Sequence, residues 1–166
     1  MPERPDLVVS GINPGYNLGM VAYVSGTVGA AREGALQGIP AISISVDRTA
    51  GDFVGAAQIA LEIATVVKSV GLPKGVFLNV GVPAGPRQRF KGIRLTRQSG
   101  LSGVERYEER KTPDGRRYFW DVYSDPGGDG EGTDIAATKE GFVAVTPLHA
   151  GEFDQKEFDQ LQGAIK

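Results

Sequence analysis

Asn13, Asn17 and the triplet Ser25-Gly26-Thr27 are the residues of this 166-residue chain best placed by type and spacing to do chemistry. Leu7-Val8-Val9-Ser10-Gly11-Ile12-Asn13 reads as a β-branched strand that stops abruptly in a loop rich in Gly and Asn, through Asn17 to Gly19. Ser25-Gly26-Thr27-Val28 then opens a helix whose first turn offers small residues and hydroxyls. A strand end feeding a polar loop and then a helix N-terminus is where open α/β sheets bind anionic ligands. An amide oxygen at Asn13 can ligate a hard cation beside carboxylates. The competing reading is a turn residue, because Asn, Pro and Gly in succession form turns in any protein. Ser25, Gly26 and Thr27 can wrap a phosphate with the free N–H groups of the first helical turn, or Ser25 is an ordinary N-cap. Asn17 either donates to a substrate oxygen at the same mouth or holds a left-handed turn.

Other patterns carry less. His149 is the only histidine and stands far along the chain from any serine in an elbow-like turn; Gly-x-Ser-x-Gly does not occur. It reads as a surface or packing residue. With one His and no Cys, zinc sites of the His/Cys type are excluded. Gly128-x-Gly130-x-Gly132 follows no βαβ strand and is broken by acids that would repel a pyrophosphate. Asp125, Asp129, Glu131 and Asp134 lack the spacing of an EF-hand loop and read as an acidic solvated loop. Asp47 and Asp52 could offer carboxylates near a strand end, although helix capping accounts for Asp52.

The elements that must position these residues alternate. Strands are expected at Asp6–Ser10 (buried), Ala41–Val46 (alternating) and Gly75–Val80, with helices at Ser25–Gly38 and Phe53–Val70, the second opened by Asp52 or Gly51. Three strands and two intervening helices imply βαβαβ with right-handed crossovers. Further strands are expected at Gly92–Thr96 and Phe142–Thr146, and a short helix at Thr133–Glu140. Val104–Lys111 and Arg116–Tyr123 flank Thr112-Pro113-Asp114-Gly115, which is hairpin-turn chemistry. That charged, aromatic ribbon is too apolar to stand alone in water and is expected to pack on a partner subunit or on its own body. Glu152–Ile165 reads as an amphipathic terminal helix, with Phe153, Phe158, Leu161 and Ile165 at helical spacing. The expected fold is α/β and Rossmann-like, a mainly parallel sheet flanked by helices with a β-hairpin arm and a terminal helix. It forms one domain over 1–166: an α/β core at 1–83, the ribbon arm at 84–132, and a terminal strand and helices at 133–166.

Composition sets outer limits. Length suits one domain. With 18 Lys and Arg against 20 Asp and Glu, a net charge of −2 and a pI near 5.5, there is no basic footprint for a nucleic-acid polymer. No cysteine is present, which suits a reducing cytoplasm. No apolar run approaches the ~20 residues that span a bilayer, so no membrane is expected. A soluble cytoplasmic domain is the default.

The ordered set of motifs resembles the SurE-type 5′-nucleotidases, the stationary-phase survival acid phosphatases. It comprises Pro5-Asp6-Leu7-Val8-Val9-Ser10-Gly11-Ile12-Asn13, Asn17-Leu18-Gly19, Ser25-Gly26-Thr27-Val28, Phe77-Leu78-Asn79-Val80, Gly92-Ile93-Arg94-Leu95-Thr96-Arg97, Gly132-Thr133-Asp134 and Val145-Thr146-Pro147-Leu148. The resemblance implies divalent-metal-dependent hydrolysis of phosphomonoesters, chiefly nucleoside 5′- and 3′-monophosphates. Mg²⁺ or Mn²⁺ is the implied cation, with Asn13 a ligand and Ser25, Gly26, Thr27 and Asn17 around phosphate or substrate. A homodimer or homotetramer is also implied. Family members begin with a strand ending in Asn-Asp-Asp-Gly whose aspartates bind the metal; this chain has no Asp-Asp pair. It is therefore expected to be the C-terminal portion of such an enzyme, its nucleophile unreadable here. Gly81 stands where the family commonly has Asn. Two alternatives remain beside the enzyme: a non-catalytic phosphate- or nucleotide-binding module, and an oligomerisation module.

Overall fold

A computed structural model of the protein describes residues 4–151 and 155–162. Its main sheet joins β1 (Val8–Pro14), β2 (Ala41–Val46), β3 (Val76–Val82), β7 (Val143–His149) and β4 (Ile93–Leu95) in the order β1-β2-β3-β7-β4. All neighbours are parallel except β3 and β7. This is the expected Rossmann-like α/β arrangement, with one antiparallel pairing inside it. β5 (Val104–Lys111) and β6 (Arg117–Tyr123) form a separate two-stranded ribbon.

Local signals explain the helices. α1 (Gly26–Leu36) starts at Ser25, whose Oγ accepts from the Val28 N–H at 3.2 Å. α2 (Phe53–Val70) starts at Asp52, whose Oδ1 accepts from the Gly55 N–H at 2.8 Å, and ends at Gly71. α3 (Asp134–Lys139) starts at Thr133, with its hydroxyl capping Ala136 N. α4 covers Gln155–Leu161; Phe153 and Ile165 of the expected terminal helix lie outside the described residues.

The two sheet faces differ in chemistry. Ile42, Ile44 and Val46 of β2, with Leu78, Val80 and Val82 of β3, pack against Ala56, Ile59, Ile63 and Val67 of α2. α2 corrects the expectation that no apolar run approaches membrane-spanning length: over 18 residues its mean hydropathy is 1.5, and by length and composition alone it could cross a membrane, although here it lays one face on the sheet and leaves Val54, Leu61 and Val70 exposed. On the other face Ala41 and Phe77 meet Val28, Ala31 and Ala35 of α1.

Two expectations about the sheet and the arm are corrected here. The first strand is not buried: Val9 is 51% exposed, because β1 is an edge strand with β2 as its one neighbour. The strand expected at Ala41–Val46 is present with the same bounds. Every residue of β2 is buried, since α2 covers one face while α1 and the loop after β1 cover the other. Segment 84–132 is also not all arm, because β4 adds to the main sheet beside β7. The ribbon itself spans 104–123 and stands off the body. Tyr107 is 66%, Phe119 61% and Trp120 53% exposed, so these rings do not pack on their own body. Within the ribbon Tyr118 meets Trp120 edge to face at 6.3 Å, and the Arg110 guanidinium lies 5.0 Å from the Trp120 ring.

Candidate active site

The loop after β1 folds back over the carboxyl ends of β2 and β3, and polar side chains buried in those strands hold it there. The Asn17 N–H donates to Ser45 Oγ at 3.2 Å, and Asn79 Nδ2 donates to the Asn17 carbonyl at 2.7 Å. Ser43 Oγ in turn donates to Asn79 Oδ1 at 2.8 Å. A buried polar group is costly unless paired, so this relay from sheet to loop makes one loop position strongly favoured. Leu18 fits beneath because residue 81 is Gly. A Cβ there would stand 2.6 Å from Leu18 Cδ2.

Above the relay opens a cleft of about 720 Å³. Its floor is Asn13 to Leu18; its walls include Asp47, Arg48, Ser102, Gly103, Tyr123, Ser124, Asp125, Ile135 and Lys139. The volume falls in the range of small-molecule sites. Asn13 Nδ2 donates to the Gly15 carbonyl at 2.7 Å, so the amide does shape the turn. The same bond points Oδ1 away, and that oxygen accepts nothing from the described residues. Asn17 is 7% exposed and its Nδ2 has no hydrogen-bond partner among the described residues. No described non-glycine residue has positive φ, so Asn17 is not there to hold a left-handed turn. A buried donor without an acceptor is costly, so this amide on the cleft floor is the polar group there that most calls for a partner.

Charge in the cleft is mixed. Burial pushes the Tyr16 hydroxyl well above its ordinary pKa, the Asp47 charge adding and the Ala84 N–H opposing, so the phenol stays neutral. Burial works against ionised Asp47 as well. The Ala50 N–H, the Thr49 hydroxyl and the Thr49 N–H outweigh it and hold the carboxyl below its usual range. Lys139 pairs with Asp125 at the rim. Asp52, by contrast, is spent on capping α2 and on the Arg87 N–H.

Ser25, Gly26 and Thr27 do not line this cleft. They form the first turn of α1, at the same edge of the sheet, with Gly26 facing open space. The ribbon contributes where sequence gave no hint: Tyr123 at its base is part of the cleft wall. The acidic loop is also corrected. Asp134 is fully buried and accepts three backbone N–H groups, while Asp129 accepts from Ser99 Oγ and Gly100 N. Burial pushes the Asp134 carboxyl up, opposed by the N–H groups of Gly19, Ser99 and Ile135. The Gly132-Thr133-Asp134 motif is the signal that could have marked it.

A hard divalent cation needs several oxygen ligands, carboxylates foremost. The described residues contain no group of three His, Cys, Asp or Glu able to hold a metal ion. Asn13 Oδ1 is one neutral donor, and Asp47 Oδ1 already accepts three hydrogen bonds. That donor set does not by itself fit Mg²⁺ or Mn²⁺.

A Rossmann-like sheet with a polar cleft at the carboxyl ends of its strands defines the protein as of the α/β class. Comparison with known proteins narrows this. The family described as survival protein SurE matches residues 1–104. The 5′-nucleotidase SurE of Symbiobacterium thermophilum is 40% identical over 97% of this chain and 62% of its own length. 5′-nucleotidase SurE 1 of Thermus thermophilus is 49% identical over 87% of this chain and 57% of its own. The crystal structure of the SurE protein from Aquifex aeolicus superposes with a TM-score of 0.85 at 36% identity, covering 99% of this chain and 67% of that one. The chain belongs to the SurE family. It spans about three-fifths of the length of the curated relatives it matches.

Proposed function

We propose that this chain carries the substrate cleft of a divalent-metal-dependent phosphomonoesterase that hydrolyses nucleoside 5′- and 3′-monophosphates to nucleoside and phosphate. The observation that carries the reading is the buried Asn17 Nδ2, without a partner among the described residues, on the cleft floor beside Asn13. The relatives named 5′-nucleotidase support the choice of substrate. In this reading Asn17 donates to a phosphate or ribose oxygen, and Arg48 supplies positive charge at the wall. Ser25, Gly26 and Thr27 offer first-turn N–H groups to the phosphate from the same sheet edge. In net terms hydrolysis places water's oxygen on phosphorus, breaks the ester P–O bond and leaves a water proton on the departing nucleoside oxygen. Asn13 would be one ligand of Mg²⁺ or Mn²⁺; the described residues do not complete that set, and no step is assigned through the cation. A cytoplasmic setting suits a chain without cysteine. The incomplete donor set specifically favours a second reading for the chain taken alone, a phosphate- or nucleotide-binding module without turnover.

Titration with inorganic phosphate, followed by amide chemical shifts, tests the cradle. Asn17, Gly26, Thr27 and Val28 should move most, and Asn17→Ala should weaken binding about tenfold, the worth of one good hydrogen bond. Shifts confined to Arg94–Arg97 would refute the site.

The exposed aromatic ribbon supports a homodimer or homotetramer in the same reading. The Ser124 N–H donates to the Gly103 carbonyl at 2.9 Å, so the two ends of the ribbon lie side by side and 104–123 can be cut out cleanly. Light scattering should show an oligomer for the intact chain and a monomer or aggregate for the deletion. An intact chain that stays monomeric at high concentration defeats the assembly role.

A further inference from the structure

Asp134 does not line the cleft, yet three segments that build the cleft meet at its carboxyl group. Its Oδ2 accepts the Gly19 N–H at 2.9 Å, and its Oδ1 accepts the Ser99 and Ile135 N–H groups, each at 2.9 Å. Three N–H donors on its two oxygens favour the ionised form, against the burial that pushes the carboxyl up. Further bonds lace the same segments. Met20 N donates to Leu101 O at 2.9 Å, Gln98 Nε2 to Gly19 O at 2.8 Å, and Asp134 N to Arg97 O at 2.9 Å. From the knot the chain runs directly into the cleft three times. Asn17 and Leu18 precede Gly19, Ser102 and Gly103 follow Leu101, and Ile135 continues α3.

We propose that Asp134 is a positioning residue for the substrate cleft. Its buried carboxylate fixes the Asn17 loop against the Ser102–Gly103 wall and α3, so it sets the cleft's width and the aim of the Asn17 amide without touching the ligand. The ligand named in the test rests on the functional reading above; the coupling between Asp134 and the loops does not.

Asp134→Asn is the sharpest variant, since it keeps the shape and turns an NH₂ group toward Gly19 or Ser99 N–H. Hydrogen exchange at the Gly19 and Ser99 amides should accelerate about 100-fold or more relative to Val80 and Val145, following loss of charge-assisted buried bonds. Affinity of the full chain for adenosine 5′-monophosphate and for inorganic phosphate should fall about tenfold or more. Ile59→Val, a sheet-core change remote from the knot, serves as the control for general destabilisation and should keep both wild-type affinity and loop protection. Gln98→Ala covers the case in which Asp134→Asn does not fold. It removes one tie to Gly19 O and should raise exchange at Gly19 with a severalfold loss of affinity. Wild-type exchange at Gly19 and Ser99 in Asp134→Asn overturns the proposal. So does loosened exchange with unchanged affinity, or an equal loss of affinity in Ile59→Val. In Gln98→Ala, both readouts unchanged likewise overturn it. A wild-type chain that binds neither ligand defeats the functional reading instead, and exchange at Gly19 and Ser99 still decides the role of Asp134.

Discussion

Assayed with Mg²⁺ or Mn²⁺ on adenosine 5′-monophosphate, the 166-residue chain is expected to turn over at least about 10³-fold more slowly than the full-length relative from Thermus thermophilus. The factor follows from the several kcal/mol that a Lewis-acid cation contributes to such a transition state, at tenfold per ~1.4 kcal/mol. The chain offers that cation one amide oxygen at Asn13 and one heavily hydrogen-bonded carboxylate at Asp47. Phosphoryl transfer depends on positioning and charge stabilisation, so a loosely held cation forfeits most of the rate. Supplying upstream a strand that ends in Asn-Asp-Asp-Gly should restore turnover, and Asn13→Ala in that longer protein should then remove it. Robust turnover by the 166-residue chain, lost on Asn13→Ala, would show instead that Asn13 and its neighbours suffice.

Gly19→Ala should lower stability by about 3 kcal/mol. Residue 19 has φ +53°, and a Cβ there would stand 2.3 Å from the Leu101 carbonyl oxygen. The left-handed conformation costs an alanine roughly 1–2 kcal/mol, and forcing an atom into a packed site costs roughly 1–3 kcal/mol more. Because the obstacle is backbone, relief means moving the 97–101 segment, which would lengthen the Met20 N–Leu101 O bond and the Gly19–Asp134 bond. At about 2–4 °C per kcal/mol for a chain of this size, Tm should fall by roughly 6–12 °C. Gly26→Ala is the contrast. Nothing lies within 4 Å of its Cβ position, and the backbone there is helical. Its melting temperature should not fall, since alanine favours a helix by up to ~1 kcal/mol over glycine. Equal losses at the two positions, read by thermal unfolding, would show that the Leu101 contact does not govern Gly19.

Elements with strong local punctuation could be read from sequence almost to the residue. β2 at Ala41–Val46, α2 at Phe53–Val70 behind the Asp52 cap, and the ribbon turn at Thr112–Gly115 depend on capping, periodicity and turn chemistry that act over a few residues. Asn13 and Asn17 could be singled out for the same reason, as polar residues at a strand exit in a known motif order. Burial could not be read this way. Ser43, Ser45 and Asn79 look like solvated alternates in their strands, and only the loop folded over them makes them a hydrogen-bonded relay.

Sequence by itself determined the α/β class, the family, the βαβαβ frame and the amides at the mouth of β1, because each rests on contiguous residues and their order. Tertiary structure alone decided that β7 inserts between β3 and β4, that β1 is an exposed edge, and that Tyr123 at the ribbon base joins the cleft wall. It alone made Asp134, apparently one more acid in a Gly/Asp loop, a buried anchor for Gly19 and Ser99. The physical reason is distance along the chain. Asp134 reaches Gly19 across 115 residues, and a carboxylate's surroundings depend on which N–H groups folding brings to it, not on the residues beside it in sequence.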